Sequence, residues 1–346
     1  MMSAMTVLTR PPAGSTPTRA DVQAAAVWLR DRAVQTPVVR SAALDRIAGA
    51  RLWLKAENLQ TTGSYKFRGA MCAVDQVARE GRHTGLIAQS TGNHAIAVAA
   101  AARQYGLSAT VVLPADAPAG KVRRAEEAGA KVVLAGTTTE ERLAVVAELQ
   151  ASSGDAVIDA YDHPAVVAGQ GTATLELVAE ADRRGVTLDA VVIPVGGGGG
   201  VAGACLAVEG RDIAVYGAEP VGCDALGRSL DEGERVTVPP AATIADGLRP
   251  STVGELPFRI AKGRVAGVVR VDDREIMRAM CLTLLHTTLA VEPSAAAGLA
   301  GALRIAAAGG FEDVGVVLTG GNVEPTLLAQ VLTDHLRHSA AAEAIR

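Results

Sequence analysis

The 346-residue chain is long enough for two domains or one large α/β unit. Its 49% hydrophobic and 20% charged residues exclude a disordered chain. A net charge of −4 and the lack of any basic block exclude nucleic acid as an expected partner.

"MMSAMTVLTRPPAGSTPT" has no long apolar run and reads as a loose tail, not a signal peptide. Thr18 and Asp21 then open a helix in which Val22, Ala25, Ala26, Leu29 and Ala33 recur at helical spacing. "RLWLKAEN" alternates like a strand. "TTGSYKFRGA" reads as a glycine-flanked turn that sets Lys66 between Tyr65 and Phe67. "TGLIAQSTGNHAIAVAAAARQYG" is strand, polar loop and helix. "SATVVLPADAP" and "KVVLAG" are strands, each followed by a helix. "DAYDHPAVVAGQGT" is polar and marks a domain boundary. "DAVVIPVGGGGGVAGACLAVEG" is strand, glycine loop and helix. "AVYGAEP" is a strand, "GVVRVDDREIMRAMCLTLLH" a strand and an acid-capped helix, and "GVVLTGGN" a last strand and turn. Such alternation predicts an α/β fold, with parallel twisted sheets covered by helices on both faces. Residues 190–208 are uncharged, but Pro194 and the glycine run exclude a membrane span. Four scattered cysteines form no C-x-x-C pair, which fits a reducing, cytoplasmic setting.

Several segments have chemical potential. Gly196, Gly197, Gly198, Gly199 and Gly200 follow a strand and open a helix, so bare N–H groups and the helix end suit a phosphate. No Lys-Ser/Thr follows, so this is not a Walker A loop. Lys66, if partly desolvated, loses its proton readily and becomes a nucleophile for a carbonyl; a snorkelling surface lysine is the alternative. Ser90, Thr91 and Asn93 sit between a strand end and a helix start, where either a carboxylate pocket or a plain helix cap is possible. Thr319 in "LTGGN" can reach a ligand heteroatom or simply form a turn. Glu219 in "AEP" and Glu292 in "VEPS" are metal-ligand or structural acids. The six histidines show no metal spacing.

"TGSYKFRGA", "STGNHA", "AGQGT", "PVGGGGG", "AEP", "IADG", "VEPSAA" and "TGGN" together resemble the fold-type II (tryptophan synthase β-like) pyridoxal-phosphate enzymes. Serine/threonine dehydratases and serine racemases are the nearest in pattern. The resemblance implies that Lys66 holds pyridoxal 5'-phosphate as a Schiff base, with Tyr65, Asn93, Glu292 and Thr319 around the ring and residues 196–200 around the phosphate. Ser90, Thr91, Asn93 and His94 would bind the substrate carboxylate. Thr91 stands where racemases carry a second base, and Tyr161-Asp162-His163-Pro164 is similar to the dehydratase form of that stretch. Glu219 and Cys223 are the candidate ligands for a Mg²⁺ or Ca²⁺ ion, although Ala225 stands where metal-binding relatives have an acid. Residues 1–83 and 161–346 are expected to form a large cofactor domain, and residues 84–160 a small substrate-closing one. The expected partner is a small amino-acid substrate, and the expected assembly a homodimer.

The implied activity is β-elimination from a β-hydroxy amino acid such as L-threonine or L-serine, giving a 2-oxo acid and ammonia. The rivals are an amino-acid racemase, a β-replacement enzyme and a non-enzymatic phosphate-ligand-binding module.

Overall fold

The computed structural model describes residues 15–343 except Thr91, Pro118 and Thr137. The chain begins with α1 (Arg19–Leu29), β1 (Val38–Val39), α2 (Ala42–Ala48), β2 (Arg51–Lys55) and α3 (Lys66–Glu80). It continues through β3 (Gly85–Gln89), α4 (Asn93–Gln104), β4 (Ser108–Leu113), α5 (Ala119–Glu127), β5 (Lys131–Leu134), α6 (Thr139–Ser153) and β6 (Ala156–Val157). Then come α7 (Pro164–Arg183), β7 (Ala190–Pro194), α8 (Gly199–Ala207), β8 (Ala214–Pro220), α9 (Ala225–Glu232) and α10 (Glu255–Ala261). The last elements are β9 (Val265–Val271), α11 (Asp273–Thr287), α12 (Pro293–Ala307), β10 (Asp313–Val317) and α13 (Pro325–Glu343).

Two sheets organise the described residues. One has the order β1-β2-β10-β7-β8-β9, parallel except for the antiparallel β1–β2 pair. The other has the order β5-β4-β3-β6 and is wholly parallel. The second sheet is built within residues 85–157. Strands β7 and β10 are buried along their full length, as expected where helices cover both faces. The helix starts as read, with the Thr18 N–H donating to Asp21 Oδ2 at 2.8 Å, but it ends at Leu29, before Ala33.

Two segments differ from the sequence reading. Lys66 lies in the first turn of a 15-residue helix, not in a glycine-flanked turn. "PAVVAGQGT", to which the sequence reading assigns no element, opens the 20-residue α7. One cause explains both. A Cβ on Gly69 would come within 2.8 Å of the Val166 carbonyl oxygen, and one on Gly169 within 2.6 Å of the Arg68 carbonyl oxygen. Helices α3 and α7 therefore touch backbone to backbone, and only glycine fits. Gly171 and Gly203 bring α7 and α8 together in the same way, with a Cβ on either meeting the other's backbone at 2.6 Å.

A buried ion network fixes the start of α3. Arg68 donates from Nε to Glu57 Oε2 at 2.8 Å and from Nη2 to Glu57 Oε1 at 2.9 Å. It also donates from Nη1 to Glu176 Oε1 at 2.7 Å. Lys55 donates to Glu176 at 2.6 Å, and Thr36 to Glu57 at 2.5 Å. Burial pushes the Glu57 carboxyl up, but the Arg68 charge and hydrogen bonds hold it below the usual carboxylate range.

Candidate active site

Lys66 projects from the start of α3, and its Nζ donates to the Ala160 carbonyl oxygen at 2.9 Å. Burial lowers its pKa to about 8, against the pull of Asp159 and Glu292. An amine of this kind is a neutral nucleophile far more often than a surface lysine is. Tyr65 packs beside it, with Lys66 Nζ 5.7 Å from the ring centroid. The Tyr65 N–H donates to the Thr319 carbonyl oxygen at 2.9 Å, which brings "TGGN" to the lysine.

The glycine loop faces the same place. Gly198 caps α8 with φ +92°, a left-handed conformation costly for any other residue. A Cβ on Gly197 would come within 2.1 Å of the Tyr161 ring, and one on Gly200 within 2.7 Å of the Tyr65 hydroxyl. Side chains thus close around a strand of bare backbone at a helix N-terminus, the chemistry expected of a phosphate cradle. Gly198→Asp adds both strain and negative charge, so cofactor affinity should fall on the order of 10²-fold or more. Titration of the cofactor-free variant by absorbance checks this, and an unchanged affinity would leave the run a mere turn.

The polar loop after β3 stands opposite. Ser90 Oγ accepts from the Gly92 N–H at 3.0 Å. Asn93 Nδ2 donates to Glu292 Oε1 at 2.6 Å, and Asn93 Oδ1 accepts from Asn322 Nδ2 at 2.9 Å. Thr91 lies outside the described residues. His94 is buried, and its Nε2 pairs with the Ile158 carbonyl oxygen at 3.0 Å. Burial lowers its pKa to about 3, so the ring is neutral and offers a carboxylate no charge. Burial also raises the carboxyl of Glu292, which Lys121, Asn93, Arg124 and Lys66 draw back down.

The expected cation ligands do not fit a metal. Glu219 Oε1 accepts from the Leu226 N–H and Oε2 from the Gly227 N–H, both at 2.9 Å, so the carboxylate caps α9 directly. Asp224 receives Arg270 at 2.7 Å and Arg228 at 3.0 Å. Cys223 donates to the Ala241 carbonyl oxygen at 3.4 Å. Mg²⁺ or Ca²⁺ needs about six or more oxygen ligands. The described residues contain no cluster of three or more histidine, cysteine, aspartate or glutamate side chains suited to a metal. Here an arginine occupies the cation's place in the charge balance. Dialysis against EDTA should therefore leave the turnover rate unchanged, and restoration of a lost rate by Mg²⁺ or Ca²⁺ would refute this.

Comparison with known proteins decides the family. The model of the family described as pyridoxal-phosphate dependent enzyme matches residues 29–320. The chain belongs to this family. It is 37% identical to the L-threo-3-hydroxyaspartate ammonia-lyase of Saccharomyces cerevisiae, over 92% of this chain and 97% of that one. Its fold is similar to that of a T.th. threonine deaminase, with TM-score 0.84 and 41% identity over 89% of this chain and 99% of that one. It is also similar to maize serine racemase, with TM-score 0.86 and 32% identity over 94% and 100%. The fold is thus the fold-type II architecture of pyridoxal-phosphate enzymes.

Sequence reading missed several groups at this site. Ala160 contributes only its backbone oxygen, and Tyr161 only the face it lays on the glycine loop. Asn322 had one signal, its place in "TGGN". Lys121 had none, because it lies on a helix that reads as surface. In the fold its side chain crosses Gly92, its Cδ 3.1 Å from where a Gly92 Cβ would be, and pairs with Asp246. No helix among the described residues is long and apolar enough to cross a membrane.

Proposed function

We propose that the chain catalyses β-elimination from a β-hydroxy amino acid such as L-threonine or L-serine, releasing a 2-oxo acid and ammonia. The observation that carries this reading is Lys66, an amine with a lowered pKa at the start of α3, facing a backbone cradle at the start of α8. Names of relatives point the same way, since they include ammonia-lyases acting on hydroxyaspartate and threonine.

Lys66 would hold pyridoxal phosphate covalently, with residues 196–200 around the phosphate and Tyr65, Asn93, Glu292 and Thr319 around the ring. When bound, the cofactor supplies an electron sink for the α-carbon of the substrate. Ser90, Thr91 and Asn93, at the N-terminus of α4, hold the substrate carboxylate. The freed Lys66 amine then takes the α-proton, and the Ala160 carbonyl orients that amine. The proton taken by Lys66 would balance the departure of the β-hydroxyl as water, and the released enamine would add water and give the 2-oxo acid and ammonia. Residues 84–160, which carry the four-stranded sheet, close over the substrate as a small domain and exclude water. The Lys121–Asp246 ion pair, which ties α5 to the segment before α10, supports that motion.

Racemisation needs acid/base groups on both faces of the α-carbon, whereas elimination needs only Lys66. Thr91, the candidate for the second face, carries a methyl group that restricts its rotamers. With L-serine the expected products are pyruvate and ammonia, and Thr91→Ala should retain much of that rate. Rapid D-serine formation with little pyruvate, lost in Thr91→Ala, would promote the racemase reading instead.

A further inference from the structure

We infer that Asn322 is a positioning residue: it fixes the side-chain amide of Asn93 so that the NH₂ end, and not the carbonyl, faces Glu292 and the cofactor ring. The inference rests on the cofactor placement proposed above and adds the group that orients one of the ring's neighbours.

An asparagine amide has nearly the same shape when turned over, but the turn exchanges donor for acceptor. Its neighbours must decide which end points where. Asn93 Nδ2 donates to Glu292 Oε1 at 2.6 Å, and Asn93 Oδ1 accepts from Asn322 Nδ2 at 2.9 Å. Glu292 alone does not decide. It is buried, and burial raises its carboxyl pKa. A carboxyl that keeps its proton can donate to an amide oxygen, just as a carboxylate accepts from an amide nitrogen. Asn322 does decide, because its own orientation is pinned. Its Nδ2 also donates to the Thr62 carbonyl oxygen at 2.9 Å, and a backbone carbonyl only accepts. The remaining Nδ2 hydrogen goes to Asn93, which must answer with Oδ1. The order therefore runs one way, from a backbone carbonyl through two amides to a carboxyl.

The backbone reserves the place of Asn322. Gly63 has φ +72°, and a Cβ there would collide with Asn322 Oδ1. The Gly321 N–H donates to the Gly63 carbonyl oxygen at 2.9 Å, and the Glu292 N–H to the Gly320 carbonyl oxygen at 3.0 Å. One turn thus carries Asn322 and is laced both to the segment before Lys66 and to Glu292. The consequence is chemical. With one Nδ2 hydrogen on Glu292, the second is free for the ring hydroxyl oxygen of the cofactor. A donor favours the ionised form of that oxygen. Its charge keeps the proton on the nitrogen that joins lysine and cofactor, the form that absorbs visible light. Turned over, Asn93 would meet the oxygen with lone pairs of its own.

The test compares the wild type with Asn322→Asp, which keeps the shape and loses both donors, and Asn322→Ala, which removes the side chain. Hydrogen exchange of the Asn93 side-chain amide is followed by NMR in isotope-labelled, cofactor-free protein, its resonances being identified by their loss in Asn93→Ala. Visible and near-ultraviolet absorbance is followed as pyridoxal phosphate is titrated in. In both variants the Asn93 amide should exchange about 10-fold faster or more. Part of the visible band should give way to a near-ultraviolet one, most in Asn322→Asp, and the cofactor should bind on the order of 10-fold more weakly. Unchanged amide exchange in both variants would overturn the inference, and so would a wild-type spectrum in both when Asn93→Ala alters it. A lower melting temperature with neither readout changed would mark a merely structural role and overturn it too. If Asn93→Ala leaves the spectrum unchanged, the cofactor placement fails by itself. The amide still decides whether Asn322 orients Asn93: faster exchange in the variants supports it, and unchanged exchange overturns it.

Discussion

Lys66→Ala should fold yet lose all cofactor that survives borohydride reduction and denaturation, because no other amine shares its position against the glycine loop. Trapped cofactor at a different lysine in the variant would sink the assignment. The wild type makes a second, quantitative statement. Burial lowers the Lys66 pKa from 10.5 to about 8, so at pH 7 its neutral fraction exceeds that of an ordinary lysine roughly 300-fold. Only the neutral amine attacks an aldehyde. Loading of pyridoxal phosphate onto the cofactor-free protein should therefore accelerate as pH rises and level off above pH 8. A loading rate still climbing steeply at pH 10 would show that the amine is not desolvated.

Arg68→Met carries the largest expected cost in stability. The change leaves Glu57 fully buried, with Lys55 at 3.9 Å as its nearest remaining cation. Breaking a buried pair by removing one partner costs about 3–5 kcal/mol. The melting temperature should drop on the order of 10 °C, and the start of α3 should loosen, so cofactor retention should suffer as well. A variant that melts with the wild type and retains cofactor equally well would show that the network does not position Lys66.

Local pattern revealed much of this molecule. The strands over residues 51–55, 108–113 and 190–194 and the helix after Asp272 are visible because apolar period, cap chemistry and turn residues agree. Lys66 stood out because its setting is chemically odd. Its helix did not: Tyr65 caps it without a side-chain bond, and Gly69 looks like a breaker. That glycine is explained only by the carbonyl of Val166, which is distant in the chain. The Asn93–Glu292 bond spans 199 positions and has no local trace. At Glu219 the sequence leaves metal ligand and structural acid both open, with Ala225 against a metal, and only the fold brings the Leu226 and Gly227 N–H groups to its carboxylate as a helix cap.

Gly69, Gly169, Gly171 and Gly203 have a mechanical consequence. At these points α3 meets α7, and α7 meets α8, with no side chain between the backbones. Lys66 starts one of these helices and residues 199–200 start another. The distance from amine to phosphate cradle is then gauged by backbone against backbone, not by side chains that can change rotamer. The closure proposed for residues 84–160 would then leave that gauge unstretched. Amides at these contacts should be among the slowest to exchange with solvent deuterium, and those of α5 among the fastest.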